Sequence, residues 1–259
     1  MTPVNTLLEL RKLTLSIGGK TVCRDLDLNI VGGQCWGILG VNGVGKTTLL
    51  HAMAGLKPAQ AGEIRVNGKP RSDYSARELA QLCGILFQDY LDTFPCTVLE
   101  AALIGRHPYL HQWQWESAQD KAIARAALQQ VGLNELEQRD ITTLSGGERR
   151  RLAIATLMAQ APQILLLDEP ANHLDLHYQS SLLTQLTQDC RQQHKAMVMV
   201  VHDVNLAARF CDHVLLLYGD GDYRAGTREE LLSAEALTQL YHHPMVLHQT
   251  SAGRFFLPE

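Results

Sequence analysis

Basic charge is scarce in this chain: 23 Lys and Arg stand against 27 Asp and Glu, a net charge of −4 over 259 residues. Holding a polyanion by electrostatics alone requires a concentrated positive field, so no nucleic-acid partner is expected. Long apolar runs are missing too. None approaches the roughly 18 residues that cross a bilayer, and the N-terminus lacks an apolar signal core; a cytoplasmic chain is expected, able to dock on a membrane partner. The six cysteines, Cys23, Cys35, Cys83, Cys96, Cys190 and Cys211, form no Cys-x-x-Cys pair and no regular spacing, and read as reduced, mostly structural thiols. His242, His243 and His248 cluster without helical ligand spacing or nearby carboxylates, which favours surface over a metal site. Internal repeats, low-complexity tracts and long linkers are absent. The 46% hydrophobic content is ample for one large packed domain or two small ones.

What is present is organised around residues 37–50, a short apolar run that breaks into glycines and restarts as a helix. Gly40, four intervening residues including Asn42 and Gly43, then Gly45-Lys46-Thr47-Thr48 match the P-loop pattern. Its glycines let successive backbone N–H groups turn inward around an anion. The helix that starts near Lys46 adds unpaired N–H groups and roughly half a positive charge at the same place. Lys46 would reach the β- and γ-phosphates of a nucleotide, and the Thr47 hydroxyl would ligate Mg²⁺. The alternative is a plain Gly-rich turn between strand and helix.

Near-alternating apolar residues over 8–17 and 22–30 predict antiparallel strands. Gly32-Gly33 then turns the chain into a buried strand over 35–39, and the helix after the phosphate loop runs to Gly55. Ile64, Val66 and Asn67-Gly68 predict a hairpin. A short helix over 76–82 and a strand over 84–87 lead to Gln88. Thr97 and Glu100 form a capping box for a helix through Ile104, with Gly105 expected to stop it. A further amphipathic helix spans 117–131. Residues 96–160 read as a helical subdomain inserted into a nucleotide core made of 1–95 and 161–259. The apolar strand 164–167 ends in Asp168-Glu169-Pro170, and helix and strand alternate through 176–193, 196–201, 203–210 and 214–218. The fold class is therefore α/β: a P-loop NTPase core with an N-terminal antiparallel β-subdomain and an inserted helical subdomain. Ligands of such sheets gather at the carboxyl ends of strands, where the phosphate loop, Gln88, Asp168, Glu169 and His202 all fall.

Hydrolysing a bound nucleoside triphosphate needs charge neutralisation, a metal on the β- and γ-oxygens and a positioned water. Lys46 and the loop amides supply the first. Thr47 and Asp168, with Gln88 as a further contact, supply the metal site. Glu169, diverging from its neighbour at the strand end, is the expected general base, and His202 is placed to hydrogen-bond the γ-phosphate. An acidic pair before proline can also simply start a turn. A second Gly-rich turn, Leu144-Ser145-Gly146-Gly147-Glu148, opens another helix and is an anion site by the same physics. The helical insertion separates it from the first site, so it is expected to serve a nucleotide held by a second copy of the chain, in a twofold head-to-tail pair. The bland alternative is an ordinary Ser-capped helix with residues 149–151 as a solvated face.

Together these motifs resemble the ATP-binding cassette family of transport ATPases over almost the whole chain. Residues 40–47 match Walker A, Gln88 the Q-loop, 144–148 the signature, 164–168 Walker B, Glu169 the catalytic carboxylate, Asp175 the D-loop aspartate and His202 the switch histidine. The resemblance implies an ATPase subunit that uses ATP and Mg²⁺, pairs with a second copy around two ATP, and docks on two membrane-spanning permease subunits through a groove at about 89–96. A periplasmic or extracellular substrate-binding protein would act indirectly, and the chain would sit on the inner face of the membrane. Thr97-Val98-Leu99-Glu100, Gly105-Arg106-His107-Pro108 and the ending 226–231 are similar to subunits that import iron-siderophores, haem or cobalamin. Three positions depart from the family pattern: Ile17 stands where an aromatic usually stacks on adenine, Ala171 where a hydroxyl residue is common, and Arg150 where Gln is frequent. A soluble cassette outside transport is the rival; a P-loop kinase or switch GTPase leaves 145–148 and His202 without a role.

Overall fold

The computed structural model describes residues 5–88, 95–111, 113–172, 174–251 and 253–259. The first alternating stretches form β1 (Thr6–Ile17) and β2 (Lys20–Val31), paired antiparallel; β3 (Cys35–Gly40) and α1 (Lys46–Met53) follow, then β4 (Ala61–Val66) and β5 (Lys69–Pro70). Next come α2 (Ala76–Leu82), β6 (Cys83–Leu86), α3 (Val98–Leu103), α4 (Ala118–Gln130), α5 (Gly146–Gln160), β7 (Ile164–Asp168), α6 (Leu176–Gln192) and β8 (Ala196–Val200). The chain ends with α7 (Val204–Phe210), β9 (His213–Gly219), β10 (Asp222–Thr227), α8 (Arg228–Leu231), α9 (Ala234–Tyr241), β11 (Met245–Thr250) and β12 (Gly253–Pro258).

The strands sort into a four-stranded antiparallel sheet, β2-β1-β4-β5, a six-stranded sheet, β10-β9-β3-β8-β7-β6, and the two-stranded β11-β12. In the large sheet β9, β3, β8, β7 and β6 are mutually parallel and only β10 runs the other way. Parallel strands joined by helices are covered on both faces, and β3, β7 and β8 are buried at every position. Period-two alternation divides their side chains between two cores. Cys35, Leu39, Leu165, Leu167, Met197, Met199, Val214 and Leu216 pack with helices α3 to α7. Trp36, Ile38, Leu166, Val198, Val200, Leu215 and Leu217 pack with α1 and the antiparallel sheet. The α/β expectation holds.

Local chemistry starts the helices where expected. Ser75, Thr97, Ser117 and Ser145 each accept from the N–H three residues on, while the acidic side chain there reaches back to the cap, satisfying two orphan donors at each end. Gly105 differs from its expected role. It does not stop the chain's coiling, which continues as a 3-10 turn over Ile104–Tyr109. A Cβ at Gly105 would lie 2.1 Å from the Thr156 carbonyl oxygen and 2.9 Å from the Gln160 nitrogen, so glycine here permits close packing on α5. The next residue locks that contact: Arg106, buried, donates to Asp120 Oδ1 at 3.0 Å and to the Ala159 carbonyl at 2.8 Å, and lies 4.0 Å over the Tyr109 ring. Burial pushes the Cys23 and Cys83 thiols up to about 11 and about 12, as fits inert structural cysteines. His242, His243 and His248 are exposed, and no metal-ligand cluster exists among the described residues.

Candidate active site

Because β3, β8, β7 and β6 lie side by side and parallel, their carboxyl ends share one rim. The residues following them are the loop 41–45, His202, Glu169 and Gln88. After β3 the chain turns through Asn42 and Gly43, exposed at the tip, to Gly45 at φ 107°. A Cβ at Gly45 would sit 2.4 Å from Val22 Cγ2, so the loop is braced directly on β2 and only glycine fits. Gly45 caps α1 without a side-chain bond, and no acidic residue stands in the first turn, leaving the helix N–H groups and dipole for an external anion. Lys46 is 6% exposed and curls back to donate to the Gly40 and Val41 carbonyls at 2.8 and 3.1 Å. Burial lowers its proton affinity, opposed by the nearby Glu169 and Asp168 charges. Thr48, beside Thr47, is buried.

Asp168, the last residue of β7, is 0% exposed. Neither carboxylate oxygen has a hydrogen-bond partner of normal geometry. Burial raises its pKa, and the adjacent Thr47 hydroxyl offsets part of that penalty. A buried, unpaired carboxylate is expensive unless something positive meets it. Together with the Thr47 hydroxyl it presents the hard oxygen donors that Mg²⁺ prefers, so these residues fit a divalent cation.

Glu169 is built differently. It is 7% exposed and adopts φ 49°, unusual for a residue with a side chain. Its N–H donates to the Val200 carbonyl at 3.1 Å, tying the turn to β8. Gln88 Nε2 donates to Oε2 at 3.3 Å. Asn172 Nδ2 donates to the same oxygen, and His202 Nε2 meets Oε1, as donor when the carboxylate is ionised. The His202 side chain is 44% exposed, open to a ligand on its free side. Three polar side chains from three segments thus converge on one carboxylate.

Asn172 was not anticipated. The only signal was its spacing: three residues after a carboxylate at a turn, an amide can fold back onto it. Arg150 was expected on a solvated face or as a modest change of contact, and is instead buried. It donates to the backbone around Gln88 and Glu169. Ser145 and Gly146 are exposed and Gly147 partly so. Ser145 N–H donates to Glu148 Oε2 at 2.7 Å and Glu148 N–H to Ser145 Oγ at 3.3 Å, so within one chain this turn is a capped helix start facing solvent. Asp175 likewise is exposed and caps α6 by accepting from Tyr178 N–H at 3.0 Å. The structure does not bring 145–147 or Asp175 into hydrogen bonds with the phosphate loop among the described residues. Ala171 is buried and Ile17 exposed at the end of β1. Most of the expected docking groove, residues 89–94, lies outside the described residues.

A phosphate loop, an unpaired buried carboxylate and a second, gripped carboxylate on one rim of a parallel sheet define a P-loop nucleoside triphosphatase. Comparison with known proteins narrows the class. The model of the ABC transporter family matches residues 23–172. The chain is 39% identical over 201 residues to the uncharacterised ABC transporter ATP-binding protein YvrA of Bacillus subtilis (strain 168), covering 77% of this chain and 46% of that one, so it spans about half of that relative's length. It is 33% identical over 265 residues to the hemin import ATP-binding protein HmuV of Rhodopseudomonas palustris (strain HaA2), covering 99% of this chain and 98% of that one. Its fold superposes on a metal-chelate type ABC transporter in an inward-facing conformation with a TM-score of 0.85 at 28% identity, over 98% of each chain. The chain belongs to the ABC transporter family, as an ATP-binding ATPase of that family.

Proposed function

We propose that this chain hydrolyses ATP to power a membrane importer of a metal chelate, in the class of iron-siderophore, haem or cobalamin. The observation that carries the catalytic part is the convergence of Gln88, Asn172 and His202 on Glu169, one residue beyond an unpaired Asp168. In this reading Lys46 turns from its loop carbonyls to the β- and γ-phosphates, held beside the uncapped N-terminus of α1. Thr47 and Asp168, with Gln88 as a further contact, would hold Mg²⁺, which when bound neutralises phosphate charge. Glu169 accepts the proton of the attacking water as general base. Its Oε1 has His202 as its one described partner, which leaves a lone pair on that oxygen for the attacking water; in this reading His202, exposed on one side, turns toward the γ-phosphate.

The exposed turn at Ser145, Gly146 and Gly147, together with Asp175, is assigned to a nucleotide bound by a second copy, two ATP being shared across a twofold interface. Helical residues 96–160 form the subdomain that carries this turn. Two permease subunits would dock beside Gln88, where Phe87 is exposed, as are Ile104, Trp113 and Trp115; a substrate-binding protein acts only through them. No helix among the described residues is long and apolar enough to cross a membrane, and we place the chain as a peripheral subunit on the cytoplasmic face. The cargo class rests on likeness to a hemin import subunit and a metal-chelate type transporter. Uptake of labelled haem, ferric siderophores and cobalamin by the reconstituted complex tests it: a transporter that moves none of them would overturn the cargo reading, and a purified chain without Mg²⁺-dependent ATPase activity the enzymatic one.

A further inference from the structure

Arg150 lies in the second turn of α5, five residues beyond Ser145, and is 5% exposed. Its guanidinium donates into backbone carbonyls from two distant segments. Nη2 reaches the oxygens of Asp168 at 2.5 Å and Glu169 at 2.6 Å, and Nε that of Pro170 at 3.4 Å. Nη1 reaches the oxygens of Phe87 at 2.5 Å and Gln88 at 3.4 Å. Successive carbonyls of an extended strand point to opposite sides. The positive φ of Glu169 breaks that alternation, so that its carbonyl and that of Asp168 both face the guanidinium. A planar fork with five N–H groups is the side chain able to satisfy such a cluster at once.

We propose that Arg150 is a positioning residue that fixes Glu169 and Gln88 relative to each other and ties both to the helix opened by Ser145. It rests on the reading of Glu169 as general base. Arg150 holds the backbone from which the base and the glutamine project, so any displacement of α5 is delivered to both. The Ser145 turn at the other end of this connection is the one assigned to the partner's nucleotide. Arg150 thereby gives each site a covalent and hydrogen-bonded line to the site on the opposite face of the pair.

The test compares wild type, Arg150→Met, Arg150→Gln and Arg150→Lys for kcat, for ATP affinity of the monomer and for melting temperature. Met keeps the length without donors and should lower kcat about 10- to 100-fold, as small displacements of reacting groups do, with ATP affinity changed less than about twofold. Gln, with two N–H donors on a shorter stem, should recover part of the loss and turn over at a rate between Met and wild type. In the Glu169→Gln background Arg150→Met should bring no further loss of residual turnover, because the two changes act on one step. Should the Met variant not fold, Lys, which keeps charge and bulk but not the fork, takes its place with a kcat loss and unchanged ATP affinity. The proposal is overturned by a Met or Lys variant with wild-type kcat, by a kcat loss matched by lost ATP affinity, or by a Gln variant that melts like wild type yet turns over no faster than Met. A wild-type chain that hydrolyses no ATP would overturn the function itself.

Discussion

Asp168 is ready for a cation, and that readiness has a measurable cost. Burial raises its pKa, so in the folded chain the ionised carboxylate is disfavoured relative to the unfolded one. The sign follows: the penalty is full above the raised folded pKa, falls away as the pH drops through it, and vanishes below the ordinary carboxylate range, where the group is protonated in both states. Asp168→Asn should raise the ligand-free melting temperature at neutral pH by roughly 2–6 °C, from about 1–2 kcal/mol. The gain should shrink as the pH falls toward about 4. The same variant should lose Mg²⁺-dependent tightening of ATP binding in a fluorescence titration. Glu169→Gln should keep ATP binding yet reduce turnover by about 100-fold or more and accumulate an ATP-dependent dimer in light scattering; normal hydrolysis would refute its role as base. These carboxylates were legible in the sequence because an apolar strand ending in acid announces a strand end. Asn172 and Arg150 were not: Asn172 folds onto a local turn, and Arg150 answers to carbonyl groups, which every residue carries and no side-chain pattern reveals.

At the scale of elements, the capping box at Thr97 and the Gly-rich turn at Ser145 announced their helices, and apolar runs announced β3, β7 and β8. Beyond residue 218 no element was legible, and 226–231 stood out only by its family likeness. Strand β11 is largely exposed and β10 has no fully buried position, and without a buried face a strand leaves no alternation to read. The turn after α3 shows a motif whose meaning lies in packing: Gly105 lets the turn approach α5 and Arg106 binds across it. Gly105→Ala should separate them and destabilise the chain by about 1–3 kcal/mol in urea unfolding, with Mg²⁺-ATP binding by the surviving folded fraction unchanged. Asp120, whose carboxyl is held below the usual range by Ser117 and Arg106, contributes stability above that range which is lost as acid protonates it.

For the whole molecule, the decisive surface is the one the single chain leaves unfilled. Ser145 and Asp175 already cap their own helices and still face solvent, so the nucleotide role proposed for them requires a second copy. Ser145→Arg should leave monomeric ATP affinity within about twofold while abolishing the ATP-dependent dimer trapped by Glu169→Gln in size-exclusion chromatography. Loss of binding in the monomer would refute the shared site.

The division of each central strand between two cores has a consequence for how such a chain can change. Neighbouring side chains such as Leu165 and Leu166 answer to different packing environments, so the sheet works as a partition wall. Substitutions well separated across it should combine nearly additively. Substitutions in the helical core away from Arg150 should therefore leave the packing of α1 and the antiparallel sheet unchanged, so that only the guanidinium contact carries a change across the wall.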